Sequence, residues 1–154
     1  MSTRKKIFLK QDEEKEILQG FPWVFDNEIL SIKNNDENHP IQDGSEVDVF
    51  SKSGNFLGTG IYNSKSKISV RILSRKKDVE FNSEFFEKRI QDALDIRFMN
   101  YKKSDSYRLI FAEADFLPGL IVERYVDING RVFLVVQFLA LCTEIFRDKI
   151  ISSL

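Results

Sequence analysis

The segment RLIFAEADFLPGLIVERY, residues 108–125, decides the fold of the second half of this chain. Two runs of branched and aromatic residues flank an acidic corner that contains Pro118 and Gly119. Such runs are typical of β-strands, and proline and glycine are typical of the turns between them. The segment therefore predicts two strands joined by a tight acidic corner.

The residues around this segment predict a small α/β unit. Apolar residues recur at helical spacing after Asn82 and Ser83, either of which can cap the helix. These helical positions are Phe86, Ile90, Ala93, Leu94 and Phe98. Three strands should follow, over residues 107–111, 119–125 and 131–139.

Two signals in this unit predict local geometry. Asn129–Gly130 favours a type I′ hairpin turn, because both turn positions need a positive φ. Thr143 is expected to cap an amphipathic helix that reaches the last residue, Leu154. Because that helix has no stop signal, we expect further chain to follow, beginning with a glycine-rich strand-to-helix loop.

The first half predicts a compact β unit. Glu46–Phe50 alternates at period two, and four or five other short strands surround it. A short helix over residues 12–18 is followed by Gly20, a residue suited to a helix end. We therefore expect an α+β protein with a closed or nearly closed N-terminal β-barrel over residues 6–75 and a second domain over residues 80–154. The charged segment 74–78 should link them.

Composition excludes several classes of protein. Cys142 is the only cysteine, so an internal disulfide and a cysteine metal cluster are excluded. His39 is the only histidine, so a histidine-based triad or zinc site is close to excluded. The longest apolar run, residues 132–141, is far shorter than the roughly 20 residues that span a bilayer. We expect no membrane partner and a cytoplasmic location.

Charge is balanced overall but unevenly distributed. Residues 1–77 hold 13 Lys and Arg against 11 Asp and Glu, whereas residues 78–154 hold 10 against 13. The first half includes an acid-free basic run: Lys65, Lys67, Arg71, Arg75, Lys76 and Lys77. It has two interpretations, a solvated strand edge or a surface that contacts phosphates.

Other candidate sites are weak. Gly58-Thr-Gly60 has only part of a nucleotide-loop pattern. Glu113 and Asp115 would share one face of a strand, but a structural role is favoured over acid–base catalysis. Cys142 is interpreted as a core residue, not a nucleophile. Trp23 could stack on a base, although a core role is the commoner one.

Three motifs together resemble one protein family. They are Gly20-Phe-Pro-Trp-Val-Phe25, Asp105-Ser-Tyr-Arg-Leu109 and Leu117-Pro-Gly-Leu-Ile-Val-Glu-Arg-Tyr125. They resemble motifs of the large-subunit (23S) rRNA cytosine-5 methyltransferases. Phe21 replaces the usual histidine, and Ala112 and Phe116 stand where the family usually has glycine.

The resemblance implies a PUA-like RNA-binding barrel, a small α/β linker domain (a helix, a three-stranded antiparallel sheet and a helix) and a Rossmann-like domain that uses S-adenosylmethionine (SAM). The full-length enzyme would add a cysteine thiolate to a flipped-out cytosine before methyl transfer. We expect that catalytic domain to be absent from this chain, which would then contain no catalytic, cofactor-binding or metal-binding residues. The expected partner is ribosomal RNA, and the oligomeric state is left open, a homodimer being one option.

The basic run and the resemblance together predict an RNA-binding surface on the barrel. The predicted residues are Lys10, Gly20, Trp23, Lys65, Lys67 and Arg71. If Lys65, Lys67 and Arg71 lie on one strand, they share one face, because all three occupy odd-numbered positions. The preferred function is substrate recognition for an rRNA methyltransferase. The alternatives are a free-standing PUA-type adaptor and, less favoured, a small enzyme of unrecognised chemistry.

Overall fold

A computed structural model describes residues 4–33 and 40–154 of the chain. It shows a mixed α+β protein that divides into two compact units, Met1–Val79 and Glu80–Leu154. The predicted polar loop with His39 lies almost wholly outside the described residues. No helix in the described ranges is long and apolar enough to cross a membrane.

The first unit is a curled sheet with one short helix. Its elements are β1 (Lys5–Leu9), α1 (Glu14–Leu18), β2 (Trp23–Phe25), β3 (Ile29–Lys33), β4 (Glu46–Phe50), β5 (Phe56–Tyr62) and β6 (Ile68–Ser74). The strand order is β2-β6-β5-β4-β1-β3, and every pairing is antiparallel except β1 with β4. Within the described residues β2 and β3 are edge strands, so the sheet forms a half-barrel where a closed or nearly closed barrel was expected.

Strand alternation places the core of this unit on one side of the sheet. Fully buried side chains alternate with more exposed ones along β1 and β2. The core consists of Ile7, Leu9, Ile17, Val24, Val47, Val49, Leu57, Val70 and Ile72. Residues between these positions, such as Phe8 and Trp23, therefore point to the opposite face, which is called the outer face below.

The second unit is a three-stranded antiparallel sheet with helices. Its elements are α2 (Ser83–Phe98), β7 (Tyr107–Phe111), β8 (Leu120–Val126), β9 (Val132–Phe138), α3 (Leu141–Glu144) and α4 (Arg147–Ser152). The sheet order is β7-β8-β9. The Asn82 side chain accepts the Phe85 backbone N–H at 3.0 Å, so the predicted N-cap of α2 is confirmed. Phe86, Ile90 and Ala93 are buried, but the predicted apolar position Phe98 is 51% exposed.

Two local predictions in the second unit are wrong. Gly130 has a positive φ but Asn129 does not, so the β8–β9 turn is not type I′. Asp127 organises this turn, because its carboxylate accepts the backbone N–H groups of Asn129 and Arg131, each at 2.8 Å. Thr143 lies within α3 and not before a helix, and its hydroxyl donates to the Ala140 carbonyl at 3.2 Å.

Candidate nucleic-acid interface

The turn between α1 and β2 positions the first predicted residues. Gly20 has a φ of +116°, a conformation that side chains rarely adopt, and its N–H donates to the Ile17 carbonyl at 3.0 Å. Arg75, on the segment after β6, holds this turn with two bonds. Its guanidinium donates to the carbonyls of Ile17 at 2.5 Å and Phe21 at 3.2 Å. The turn is therefore fixed to the sheet, and Arg75 is engaged in holding it.

The structure brings Trp23 and Arg71 together. They are register partners on β2 and β6, and the Arg71 guanidinium lies 5.4 Å from the centroid of the half-buried Trp23 ring. Phe21 and Phe25 pack around the same ring, with centroid distances of 5.1 and 6.3 Å. We call Phe21, Trp23, Phe25 and Arg71 the β2–β6 patch. It combines aromatic rings with a cation, a pairing that suits stacking on nucleic-acid bases.

Lys10 and Lys67 meet the same short turn, the 3₁₀ helix Asp26–Glu28. The Lys10 ammonium donates to the Asn27 carbonyl at 2.5 Å, and the Asp26 N–H donates to the Lys67 carbonyl at 2.9 Å. Both lysines are exposed. They therefore flank the end of β2, close to the β2–β6 patch.

Lys65 is placed differently from the expectation. Because β6 begins at Ile68, Lys65 and Lys67 lie in the preceding turn, and the strand alternation that would align them with Arg71 does not apply. The Asp43 carboxylate accepts the Ser64 N–H at 2.6 Å, and this bond lowers the pKa of Asp43, with a contribution from the Lys65 charge. The Asp43 carboxylate, held ionised, partly offsets the charge of Lys65.

Helix α1 has the wrong charge for a phosphate surface. Asp12, Glu13, Glu14 and Glu16 lie in or directly before it, and Lys15 is paired with Asp12 at 3.2 Å. Burial raises the pKa of nearby Glu28, and the charges of Glu13 and Glu16 add to that rise while the Phe25 N–H opposes it. Acids at this density repel RNA phosphates. The strands, and not the helix, offer the favourable potential.

The weaker candidates are structural. Gly58 and Gly60 lie within β5, and a Cβ on Gly60 would come within 2.2 Å of the Arg71 carbonyl oxygen. These glycines therefore allow close strand contact. Cys142 is buried, and its thiol donates to the Pro118 carbonyl at 3.1 Å. The described residues contain no group of His, Cys, Asp and Glu that could hold a metal ion.

The predicted strand placement of Glu113 and Asp115 is wrong, whereas the favoured structural role agrees with the bonds that Asp115 makes. Glu113 and Asp115 lie in a 3₁₀ helix, Ala112–Asp115, and not on a strand. Buried Asp115 accepts two bonds from the Arg97 guanidinium, at 2.8 and 2.5 Å, and one from the Phe111 N–H at 2.6 Å. These bonds fix the corner that the sequence predicted between β7 and β8.

Sequence reasoning missed Phe25 as a member of the β2–β6 patch and Arg75 as the residue that holds the turn beside it. Phe25 was assigned only to a strand, although period-two spacing from Trp23 was the signal that both rings share a face. Arg75 was grouped with the basic run. Its bonds to the α1 end join residues 58 and 54 positions apart, a contact that no local pattern predicts.

Comparison with known proteins relates the chain to one domain family and to a group of rRNA methyltransferases. Residues 7–75 match the family model of the PUA-like domain. Over these residues the first unit is similar to a PUA-like domain. Two curated relatives named ribosomal RNA large subunit methyltransferase I match nearly the whole chain. The one from Tolumonas auensis is 34% identical over 100% of this chain, and the one from Alteromonas mediterranea is 33% identical over 97%. The chain spans 36% of the length of each.

Solved structures show the same fold. A protein from Streptococcus mutans assigned as a SAM-dependent methyltransferase superposes with a TM-score of 0.72 at 24% identity. A methyltransferase structure complexed with SAH superposes with a TM-score of 0.73, also at 24% identity. Each match covers 96% of this chain and 36% of the other. At this identity the likeness concerns the fold alone.

Proposed function

We propose that this chain is the RNA-recognition region of a SAM-dependent rRNA methyltransferase that acts on carbon 5 of a cytosine. Support comes from the PUA-like match over residues 7–75 and from relatives named as large-subunit rRNA methyltransferases. The cytosine-5 specificity rests on the motifs at residues 20–25 and 105–125. A cytoplasmic location, where rRNA of this kind is made, is part of the same proposal.

The observation that carries the proposal is the cation–π pair of Trp23 and Arg71, 5.4 Å apart, within the residues that match the PUA-like domain. A guanidinium above an indole presents a planar cation, which can contact phosphate and the face of a base. Lys10 and Lys67 extend the positive charge along the end of β2. We propose that these groups position the RNA without reading its sequence, since phosphate contacts carry no sequence information.

The test is a salt series with a structured rRNA fragment. Wild type is compared with Lys65→Ala/Lys67→Ala/Arg71→Ala and with Lys88→Ala/Lys102→Ala/Lys103→Ala, which removes the same charge from exposed positions of the second unit. The slope of log K against log salt is negative, and each lost phosphate contact should reduce its magnitude by about one. Because Lys65 lies beside the ionised Asp43 carboxylate, Lys67 and Arg71 should contribute more than Lys65.

The control variant should retain most of the wild-type slope and affinity. Circular dichroism and thermal melting check that both variants are folded. If the folded Lys65→Ala/Lys67→Ala/Arg71→Ala protein binds RNA with unchanged affinity and slope, the RNA surface lies elsewhere and this assignment is wrong.

A further inference from the structure

A row of three aromatic rings crosses the outer face of the first unit. Phe8 on β1, Phe50 on β4 and Phe56 on β5 are consecutive register partners. The Phe8 and Phe50 rings are stacked with centroids 5.4 Å apart, and those of Phe50 and Phe56 are 5.8 Å apart. All three rings are half-buried, so each retains accessible surface. We call Phe8, Phe50 and Phe56 the phenylalanine row.

Each ring of this row has its own lysine. The Lys33 ammonium lies 4.9 Å from the Phe8 centroid, Lys6 lies 5.7 Å from Phe50, and Lys77 lies 5.6 Å from Phe56. Cation–π contacts of this kind are weak at exposed sites, so the ammonium groups keep the capacity to bind an anion. The row is thus lined by one positive charge per ring.

Like charges meet at one end of the row. Lys6 and Lys33 are direct register partners on β1 and β3, which places like charges opposite each other at a cost to the sheet. Among the described residues, no carboxylate forms an ion pair with Lys6, Lys33 or Lys77. Asp48, the register partner of Lys6 on β4, is buried, and its carboxylate accepts the Thr59 hydroxyl at 2.7 Å. A bound anion would relieve this repulsion.

We propose that the phenylalanine row and its three lysines bind an unpaired segment of RNA, with bases stacked on the rings and phosphates held by the ammonium groups. This inference rests on the proposed RNA-binding function, and it adds the class of RNA and a second surface. The three adjacent rings and the lysine over each of them carry it. Only unpaired nucleotides offer exposed base faces and phosphates together, because a duplex hides its base faces.

The first test uses the whole chain and a fluorescein-labelled eight-nucleotide RNA single strand, with a duplex of the same length for comparison. Phe8→Leu/Phe50→Leu keeps apolar volume and removes two aromatic faces. Since stacking on an aromatic side chain changes affinity by roughly 5- to 150-fold per base, this variant should bind the single strand at least about tenfold more weakly. Duplex binding should change little. Phe133→Leu, at a 50% exposed ring on β9, is the matched control and should bind the single strand as wild type does.

Two further measurements separate stacking from charge. 2-Aminopurine in the single strand should lose fluorescence on binding wild type, and this loss should be greatly reduced with the phenylalanine variant. Lys6→Gln/Lys33→Gln should reduce the magnitude of the salt slope by about 1.4 and keep the 2-aminopurine response at saturation. Unchanged single-strand affinity in a folded Phe8→Leu/Phe50→Leu protein would show that the rings only stabilise the sheet, and would overturn the inference.

Wild-type protein gives an independent answer if the phenylalanine variant does not fold. Photocrosslinking with 4-thiouridine RNA should label peptides that contain residues 5–9 and 46–56, and labelling confined to other peptides would contradict the proposal. The experiments also distinguish failure of the proposed function from failure of this inference. If the proposed function fails, neither structured nor single-stranded RNA binds, whereas failure of this inference alone leaves patch-dependent binding of structured rRNA intact.

Discussion

At two positions this chain has a side chain where the family motif has glycine, and both residues keep a backbone conformation that suits glycine. Ala112 has a φ of +47° and Phe116 a φ of +57°, so the backbone of both residues is in the left-handed region. The resemblance places glycine at these positions, and glycine adopts this conformation without steric cost. The corner is retained because Arg97 and the Phe111 N–H bind Asp115 between the two strained residues. The fold therefore tolerates local strain here.

Replacing Ala112 with glycine should stabilise the second unit. A left-handed L-residue costs roughly 1–2 kcal/mol, and glycine loses roughly 0.5–1 kcal/mol in chain entropy, so a net gain of about 0.5–1 kcal/mol is expected. The free energy of unfolding from urea titration measures this change. Ala114→Gly, in the same 3₁₀ helix but without a positive φ, is the matched control and should be destabilising. Equal effects of the two substitutions would refute the strain argument.

At the scale of elements, the β8–β9 hairpin depends on one carboxylate. The Asp127 side chain accepts the backbone N–H groups of Asn129 and Arg131 and also bonds the Arg131 guanidinium at 2.8 Å. The N–H of Arg131 is the largest cause of the lowered pKa of Asp127. A single side chain thus closes a turn whose sequence favoured a different geometry.

This lowered pKa predicts a pH-dependent contribution to stability. A carboxyl group whose pKa is depressed in the folded state stabilises that state above its ordinary pKa of 3.8, and the contribution is lost as pH falls through the folded-state value. Asp127→Asn should therefore be less stable than wild type at pH 7, and the difference should shrink as the pH falls through the depressed folded-state pKa of Asp127. Thermal melts across this range measure the difference. A constant difference at every pH would assign the effect to lost hydrogen bonds alone.

At the scale of the whole molecule, the question is whether this chain contains a SAM-binding loop. The chain spans 36% of the rRNA methyltransferases that it matches, and the glycines that suggested a phosphate loop lie within β5. A dinucleotide-type site needs a glycine-rich turn between a strand and a helix. SAM binding by the full-length protein is part of the proposed function.

We predict that residues 1–154 alone neither bind SAM nor transfer methyl groups. Isothermal titration calorimetry with SAM should show no saturable heat, and an RNA methylation assay with labelled SAM should show no incorporation. A positive control is a full-length relative such as the Tolumonas auensis protein, which this chain resembles at 34% identity. Micromolar SAM binding by the 154-residue chain would overturn the prediction.

The sequence alone determined the elements whose signals are local. Period-two alternation located β4, helical spacing located α2, and Asn82 capped it as predicted. The motifs also indicated the PUA-like domain that the family model matches. These features follow from side-chain periodicity and from bonds between residues a few positions apart, so a linear sequence contains the necessary information.

Only the tertiary structure decided how distant residues combine. The pairing of Trp23 with Arg71 and the alignment of Phe8, Phe50 and Phe56 depend on strand order and register, which no local pattern specifies. Likewise, the turn at Asp127 and the left-handed angles at Ala112 and Phe116 follow from bonds that override the intrinsic preferences of their residues. The surfaces proposed to bind RNA are products of that long-range pairing, because side chains from separate strands become neighbours only when the sheet forms.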